Sequence, residues 1–130
     1  MLGLAKSLVI AGKKCRVILG FNTASEIFLV DEFKNFTDDI TVMTADGSYG
    51  QKGFVTDAFD TLDYACACGP LKMLQALDGK VRKGQFSLEA RMGCGFGACM
   101  GCSIQTKVGS QRVCKEGPVF DKEVLLWETL

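Results

Sequence analysis

A chain of 130 residues, 48% of them apolar, holds material for about one domain with a core, or for a small domain with an appendage. Fifteen Lys and Arg balance fifteen Asp and Glu, which leaves no basic footprint for nucleic acid or for an anionic membrane surface. No apolar run approaches the ~18 residues of a membrane span, and the amphipathic N-terminus MLGLAKSLVIAGKK lacks a small-residue cleavage site, so a soluble cytoplasmic protein is expected.

In chain order, Leu2, Leu4, Ala5, Leu8 and Val9 recur at helical spacing and stop at Gly12, which predicts a helix over about 2–11. CRVILGF, residues 15–21, is apolar and β-branched like a strand covered on both faces. The polar run Asn22-Thr23-Ala24-Ser25-Glu26 then starts a second helix with Ile27, Phe28, Leu29, Phe33 and Phe36 at helical intervals. ITVMTA, residues 40–45, predicts another strand, DGSYGQKG a turn-rich loop, and residues 54–61 a short helix. Residues 64–68 read as a third strand, turned by Gly69-Pro70 into a helix with Leu71, Met73, Leu74 and Leu77 on one face. Such alternation implies an α/β fold with a parallel sheet and right-handed crossovers, whose ligands bind at the carboxyl ends of the strands.

After Gly84 the character changes. Ser87 is placed to cap a short helix containing Leu88 and Met92, which Gly93 would end. Ser103 to Val108 alternates like a strand, Gly109-Ser110 reads as a two-residue hairpin turn, and QRVC returns. In that register Val108 faces Gln111 and Cys114 lies opposite Gln105, roughly 10 Å along the ladder from Cys102. A tail over residues 116–130 has Phe120, Leu126 and Trp127 to bury. The chain thus divides into residues 1–83, partial and α/β, and a small module with a β-hairpin over 84–130.

Seven cysteines, odd in number and clustered, sit poorly with a secreted disulfide framework, and the absence of histidine excludes mixed zinc sites and Rieske centres. Cys94, Cys99, Cys102 and Cys114 read CxxxxCxxC followed by a cysteine after eleven residues, and the first three match the plant-type 2Fe-2S spacing. Gly93, Gly95, Gly97 and Gly101 allow the loop to turn its amides toward sulfur. The alternative is a structural zinc held by the four thiolates in a noncatalytic module, although zinc modules more often use short CxxC spacings at both ends. A cluster-based redox sensor is a further alternative, against whose transcriptional form the lack of a basic DNA-binding element weighs. Cys15 and Cys66, within apolar strands, are expected in the core.

CGPLKML at residues 68–74, SLEARMGCGFGACMGCSI and RVCKEGPVF carry a resemblance across essentially the whole chain. They resemble the electron-transfer subunit of class 1B dihydroorotate dehydrogenase, in the ferredoxin reductase superfamily. The resemblance implies Cys94, Cys99, Cys102 and Cys114 as ligands of a 2Fe-2S cluster. It also implies a relay from NADH through FAD and the cluster to FMN in a dihydroorotate dehydrogenase catalytic subunit or similar flavoprotein. A sister group, the small subunit of bifurcating NADH-dependent ferredoxin:NADP oxidoreductases, replaces one ligand by aspartate, so four cysteines favour the dihydroorotate branch. Phe96, Ala98 and Met100, between the ligands, are expected to form the docking surface for the partner flavoprotein.

The same resemblance implies a partial NAD site. Cys68, Gly69 and Pro70 are similar to the superfamily motif beneath the nicotinamide ring, where a helix N-terminus and a glycine allow close approach; a strand-to-helix turn is the plainer reading. Asn22 and Thr23 end one strand, and Asp46 and Gly47 another, along the dinucleotide; Asp46 is placed to accept from a ribose hydroxyl, though Asp-Gly is equally a common turn dipeptide. Gly50, Gly53, Val55 and Thr56 resemble the family loop and helix start before the third strand, and also serve as a plain capped entry.

In the family a strand with a glycine-rich turn precedes the helix that here begins MLGLAKSL, and an FAD barrel precedes that. This chain has neither and is expected to be incomplete, completed by another chain or a truncated fragment, with exposed sheet edges that favour self-association. NADH delivers two electrons and a 2Fe-2S centre takes one, so without flavin the chain alone is expected not to oxidise NADH at a useful rate.

Overall fold

Helix α1 spans Leu2–Ile10 in the computed structural model, which describes residues 1–130. It ends as the glycine requires. Gly12 takes φ +73°, its amide donates to the Val9 carbonyl, and the Lys13 amide donates to the Leu8 carbonyl, each at 2.9 Å. Those two bonds satisfy two of the carbonyls that the helix end leaves without an intrahelical partner. Strand β1 (Val17–Phe21) follows, and beyond it the expected second helix is broken. Ala24–Glu26 form a single 3-10 turn, Ile27 is extended, Leu29 is left-handed at φ 61°, and only Val30–Lys34 are α-helical as α2. The cause is local: the Glu26 carboxylate accepts from the Asn22 amide and from Asn22 Nδ2, each at 3.0 Å, and closes the chain on itself. Phe28 then turns back onto Phe21, ring edge to ring face at 5.7 Å.

Strands β2 (Ile40–Thr44) and β3 (Gln51–Lys52) complete a parallel sheet in the order β1-β2-β3. The two-residue β3 was not anticipated in the turn-rich loop. Residues 54–61 make one 3-10 turn, Val55–Asp57, in place of the expected helix; Asp57 caps its start by accepting from the Phe54 amide at 2.8 Å. Ala5, Val17 and Phe33 form the buried nucleus of this unit, with Leu2, Leu19, Ile40 and the half-buried Cys15 packed against it.

From Thr61 onward a second compact unit runs to Leu130. It contains β4 (Leu62–Cys68), α3 (Leu71–Asp78), β5 (Val81–Ser87), β6 (Ser103–Thr106), β7 (Gly109–Arg112) and β8 (Val119–Asp121). Strand β5 pairs with β4 in parallel and with β8 antiparallel. The helix expected from Ser87 to Met92 is therefore absent: Ser87 ends a strand, and the Leu88 amide donates to the Pro118 carbonyl at 2.8 Å. The polar centre of VRKGQFS masks the strand, whose buried residues are Val81, Gly84 and Phe86. Gly84 is indispensable there, since a Cβ would collide with the Ala65 carbonyl of β4. A division at 83/84 would cut β5; the packing divides the chain at Asp60/Thr61.

Leu74 and Phe86 are wholly buried, each stabilising the fold by about 1.5–3 kcal/mol. The C-terminal segment closes this core, but the buried leucine is Leu125, while Leu126 and Trp127, both expected inside, are half-buried. Phe120 is buried, Trp127 lies tilted against Phe86 at 6.1 Å, and Lys122 Nζ donates to the Asp78 and Val81 carbonyls at 2.9 and 2.6 Å.

Candidate metal centre

Three of the four cysteines sit on the irregular loop over residues 93–102, where the backbone is folded by glycine. Gly95 and Gly97 take φ of 74° and 93°, values an L side chain resists. The resulting curl turns amides onto sulfur. Cys94 Sγ accepts from the Ala98 and Cys99 amides at 3.3 and 3.4 Å, and Cys99 Sγ accepts from the Gly101 amide at 3.4 Å. Gly93 adds room, since a Cβ there would stand 3.2 Å from Cys99 Sγ.

The fourth cysteine is brought in by the hairpin, in a register that differs from the expected one. Ser103 pairs with Arg112 and Thr106 with Gly109, so the turn is at Lys107-Val108 and not at Gly109-Ser110. Thr106 fixes it: its Oγ1 donates to the Gly109 carbonyl at 2.7 Å and accepts from the Val108 amide at 3.3 Å. The shift carries Cys114 past Gln105 to the base of the hairpin. There the Val113 amide donates to the Cys102 carbonyl at 3.1 Å, and the Cys114 amide to Cys102 Sγ at 3.4 Å.

The thiols therefore come in two pairs. Cys94 is hydrogen-bonded to the Cys99 thiol and Cys102 to the Cys114 thiol, and the Cys114 thiol also feels the charge of Cys94. Amide donation, first from Cys99 and then from Phe96, lowers the Cys94 thiol to about 6. The Cys114 amide lowers Cys102, while the thiol bond to Cys102 holds the proton on Cys114. No three cysteine, aspartate or glutamate side chains gather around one ion position. Four thiolates are the ligand complement of a binuclear iron–sulfur cluster and equally of a single zinc, and the spacing of the first three is the one that favours the cluster. The amides turned on sulfur are the outer contacts that such a cluster uses.

Arg112 and Glu116 escaped the sequence reading, although opposite charges four residues apart, flanking Cys114, were the available signal. The Glu116 carboxylate accepts from the Arg112 amide at 2.7 Å, from Nε at 2.9 Å and from the second terminal nitrogen. This bond to Arg112 depresses the Glu116 carboxyl to about 2. The other terminal nitrogen of Arg112 donates to the Gly97 carbonyl at 2.8 Å, across to the cysteine loop. Phe96 and Met100 are exposed at 71% and 52%, as a docking role would need, and Ala98 is exposed beside them.

In the first unit the structure brings Asn22, Thr23, Asp46 and Gly47 together at the carboxyl ends of β1 and β2. The Asp46 amide donates to the Asn22 carbonyl at 3.2 Å. Asp46 Oδ1 is already occupied, accepting from the Ser48 amide at 2.9 Å and the Ser48 hydroxyl at 2.6 Å, and these bonds hold its carboxyl below the ordinary range. That is turn chemistry. In the second unit Cys68 is exposed at the end of β4, and Gly69-Pro70 leads into α3. A Cβ on Gly69 would stand 2.5 Å from Met73 Cε, the movable end of a flexible side chain, and Gly69 takes φ 158°, which an L side chain rarely adopts. Cys66 is half-buried on β4.

Residues 89–126 match the family of the iron–sulfur cluster binding domain of dihydroorotate dehydrogenase B. Over 128 residues the chain is 43% identical to the electron transfer subunit of NAD-linked dihydroorotate dehydrogenase B from Bacillus mycoides (strain KBAB4), covering 90% of this chain and 49% of that subunit. The corresponding Bacillus cereus (strain B4264) subunit is 42% identical with the same coverage. A chain from the structure of an NADH-dependent reduced ferredoxin-NADP oxidoreductase superposes with a TM-score of 0.80 and 33% identity, covering 96% of this chain and 49% of that one. The chain spans about half the length of the curated relatives it matches. Fold, cysteine loop and sequence point the same way: residues 89–126 match the iron–sulfur cluster binding domain of dihydroorotate dehydrogenase B, and the chain is similar to about half of the electron transfer subunit of that enzyme.

Proposed function

We propose that this chain is the iron–sulfur relay portion of an NAD-linked electron transfer subunit, holding a 2Fe-2S cluster on Cys94, Cys99, Cys102 and Cys114. The observation that carries the reading is the arrangement of those thiols as two pairs with four amide donors turned on sulfur. When bound, the cluster supplies a one-electron station. The protein's part is to hold the sulfurs ready, direct amide dipoles at them and offer Phe96, Ala98 and Met100 to a partner. On this reading the residues given to NAD are Asn22, Thr23, Asp46 and Gly47 in the first unit and Cys68, Gly69 and Pro70 in the second. Residues 84–130 carry the relay, and FAD belongs to the complete assembly, since a flavin is needed to split the hydride pair.

The partner is proposed to be the FMN-bearing catalytic subunit of a dihydroorotate dehydrogenase in the cytoplasm, with electrons running between pyrimidine synthesis and NAD. The likeness to the ferredoxin-NADP oxidoreductase chain supports a second reading, in which the relay serves a related bifurcating enzyme. Four thiol ligands favour the first.

Anaerobic purification and reconstitution test the centre. The expected product is red-brown, with two irons and two sulfides per chain. A colourless protein that keeps one tightly bound zinc and resists reconstitution would replace the relay by a structural zinc module.

A further inference from the structure

We propose that Arg112 is the positioning residue of the cysteine loop, holding it in its sulfur-facing shape before any cluster is present. The inference rests on the relay reading for its purpose, and on geometry for its content. Arg112 joins two segments that carry different cysteine pairs. Through its side chain it reaches the Gly97 carbonyl at 2.8 Å, midway between Cys94 and Cys99, and it lies 4.0 Å from Met100 Sδ. Through its backbone it closes the turn that carries Cys114, its carbonyl accepting from the Lys115, Glu116 and Gly117 amides at 3.1, 2.9 and 3.3 Å.

A guanidinium suits this work because its donors are fixed in a plane. Glu116 takes one edge of the fork, which sets the orientation of the group; the remaining nitrogen is then aimed at Gly97. The contact is close on both sides. Gly97 is buried, and a Cβ on it would stand 3.3 Å from the Arg112 nitrogen and 2.7 Å from Lys115 Cδ. The loop has no regular hydrogen-bonded structure of its own between Gly93 and Met100, so this bond across to the hairpin restrains the curl that directs the Ala98 and Cys99 amides onto Cys94. A lysine would keep the charge but could not grip Glu116 bidentately and reach Gly97 from a fixed plane.

The test is backbone amide exchange on the metal-free full chain, comparing wild type with Arg112→Gln and Arg112→Lys. Losing a charge-assisted bond should speed exchange at Ala98, Cys99 and Gly101 roughly ten- to a hundredfold in both variants, while the β4–β5 amides keep their wild-type rates. The same three proteins, reconstituted with iron and sulfide, should differ in visible circular dichroism, which reports the twist of the thiolates and not mere folding. Unchanged loop exchange in both variants would overturn the proposal, and so would a lysine variant that matches wild type in exchange and dichroism. If Arg112→Gln fails to fold, Glu116→Gln, which frees the fork, carries the same expectation. A wild-type chain that takes up no cluster would defeat the relay reading, while the metal-free exchange still decides the role of Arg112.

Discussion

Gly97 is the residue on which the cysteine loop turns. Its φ of 93°, its burial and its carbonyl bond to Arg112 are three demands on one position, and only a residue without Cβ meets them together. Gly97→Ala combines left-handed strain with a clash against the Lys115 stem, an expected loss of about 1–3 kcal/mol in local stability. Iron uptake on reconstitution should fall well below two per chain, with near-normal circular dichroism of the backbone; full uptake would show that the loop yields at little expense. Gly95 offers the contrast. It also has positive φ, at 74°, but a Cβ there meets nothing within 4 Å, so Gly95→Ala carries the strain without the clash and should bind more iron than Gly97→Ala.

Among the elements, the hairpin shows both what the sequence discloses and where it stops. The alternation of Ser103 to Val108 and the glycine after it announced two strands and a tight turn. Position within the turn was decided by one hydroxyl, Thr106 Oγ1, bonded on both sides of Lys107-Val108, and propensity alone gave no sign of it. The slip is two residues on each strand, so every side chain keeps its face while Cys114 moves along the ladder to Cys102. Thr106→Val removes both bonds from a buried site and should destabilise the hairpin by about 1–3 kcal/mol, read from the denaturant midpoint of the metal-free chain. The other discrepancies have the same origin. Helical spacing of Phe and Leu after Asn22 was overruled by the Glu26 bond to Asn22, and VRKGQFS became a strand because β4 and β8 lie on either side of it. The clustering of the cysteines, by contrast, was legible at once from their spacing, and the structure places three of them on the glycine-rich loop and the fourth at the base of the hairpin beside Cys102.

For the molecule as a whole, the parallel strand–helix alternation was legible and the boundary between units was not. β4, α3 and β5 continue the α/β rhythm, yet β8, from the far end of the chain, claims β5 as its neighbour and draws all three into the cysteine-bearing unit. That division has a calorimetric consequence. All four thiols lie within Thr61–Leu130, so ligand binding can add free energy to the folded form of that unit only. Heating the reconstituted chain and its metal-free counterpart should give two transitions, of which one moves upward with iron and the other stays where it was. A single transition that moves as one block would mean that the Asp60/Thr61 division has no thermodynamic counterpart, the two units unfolding together.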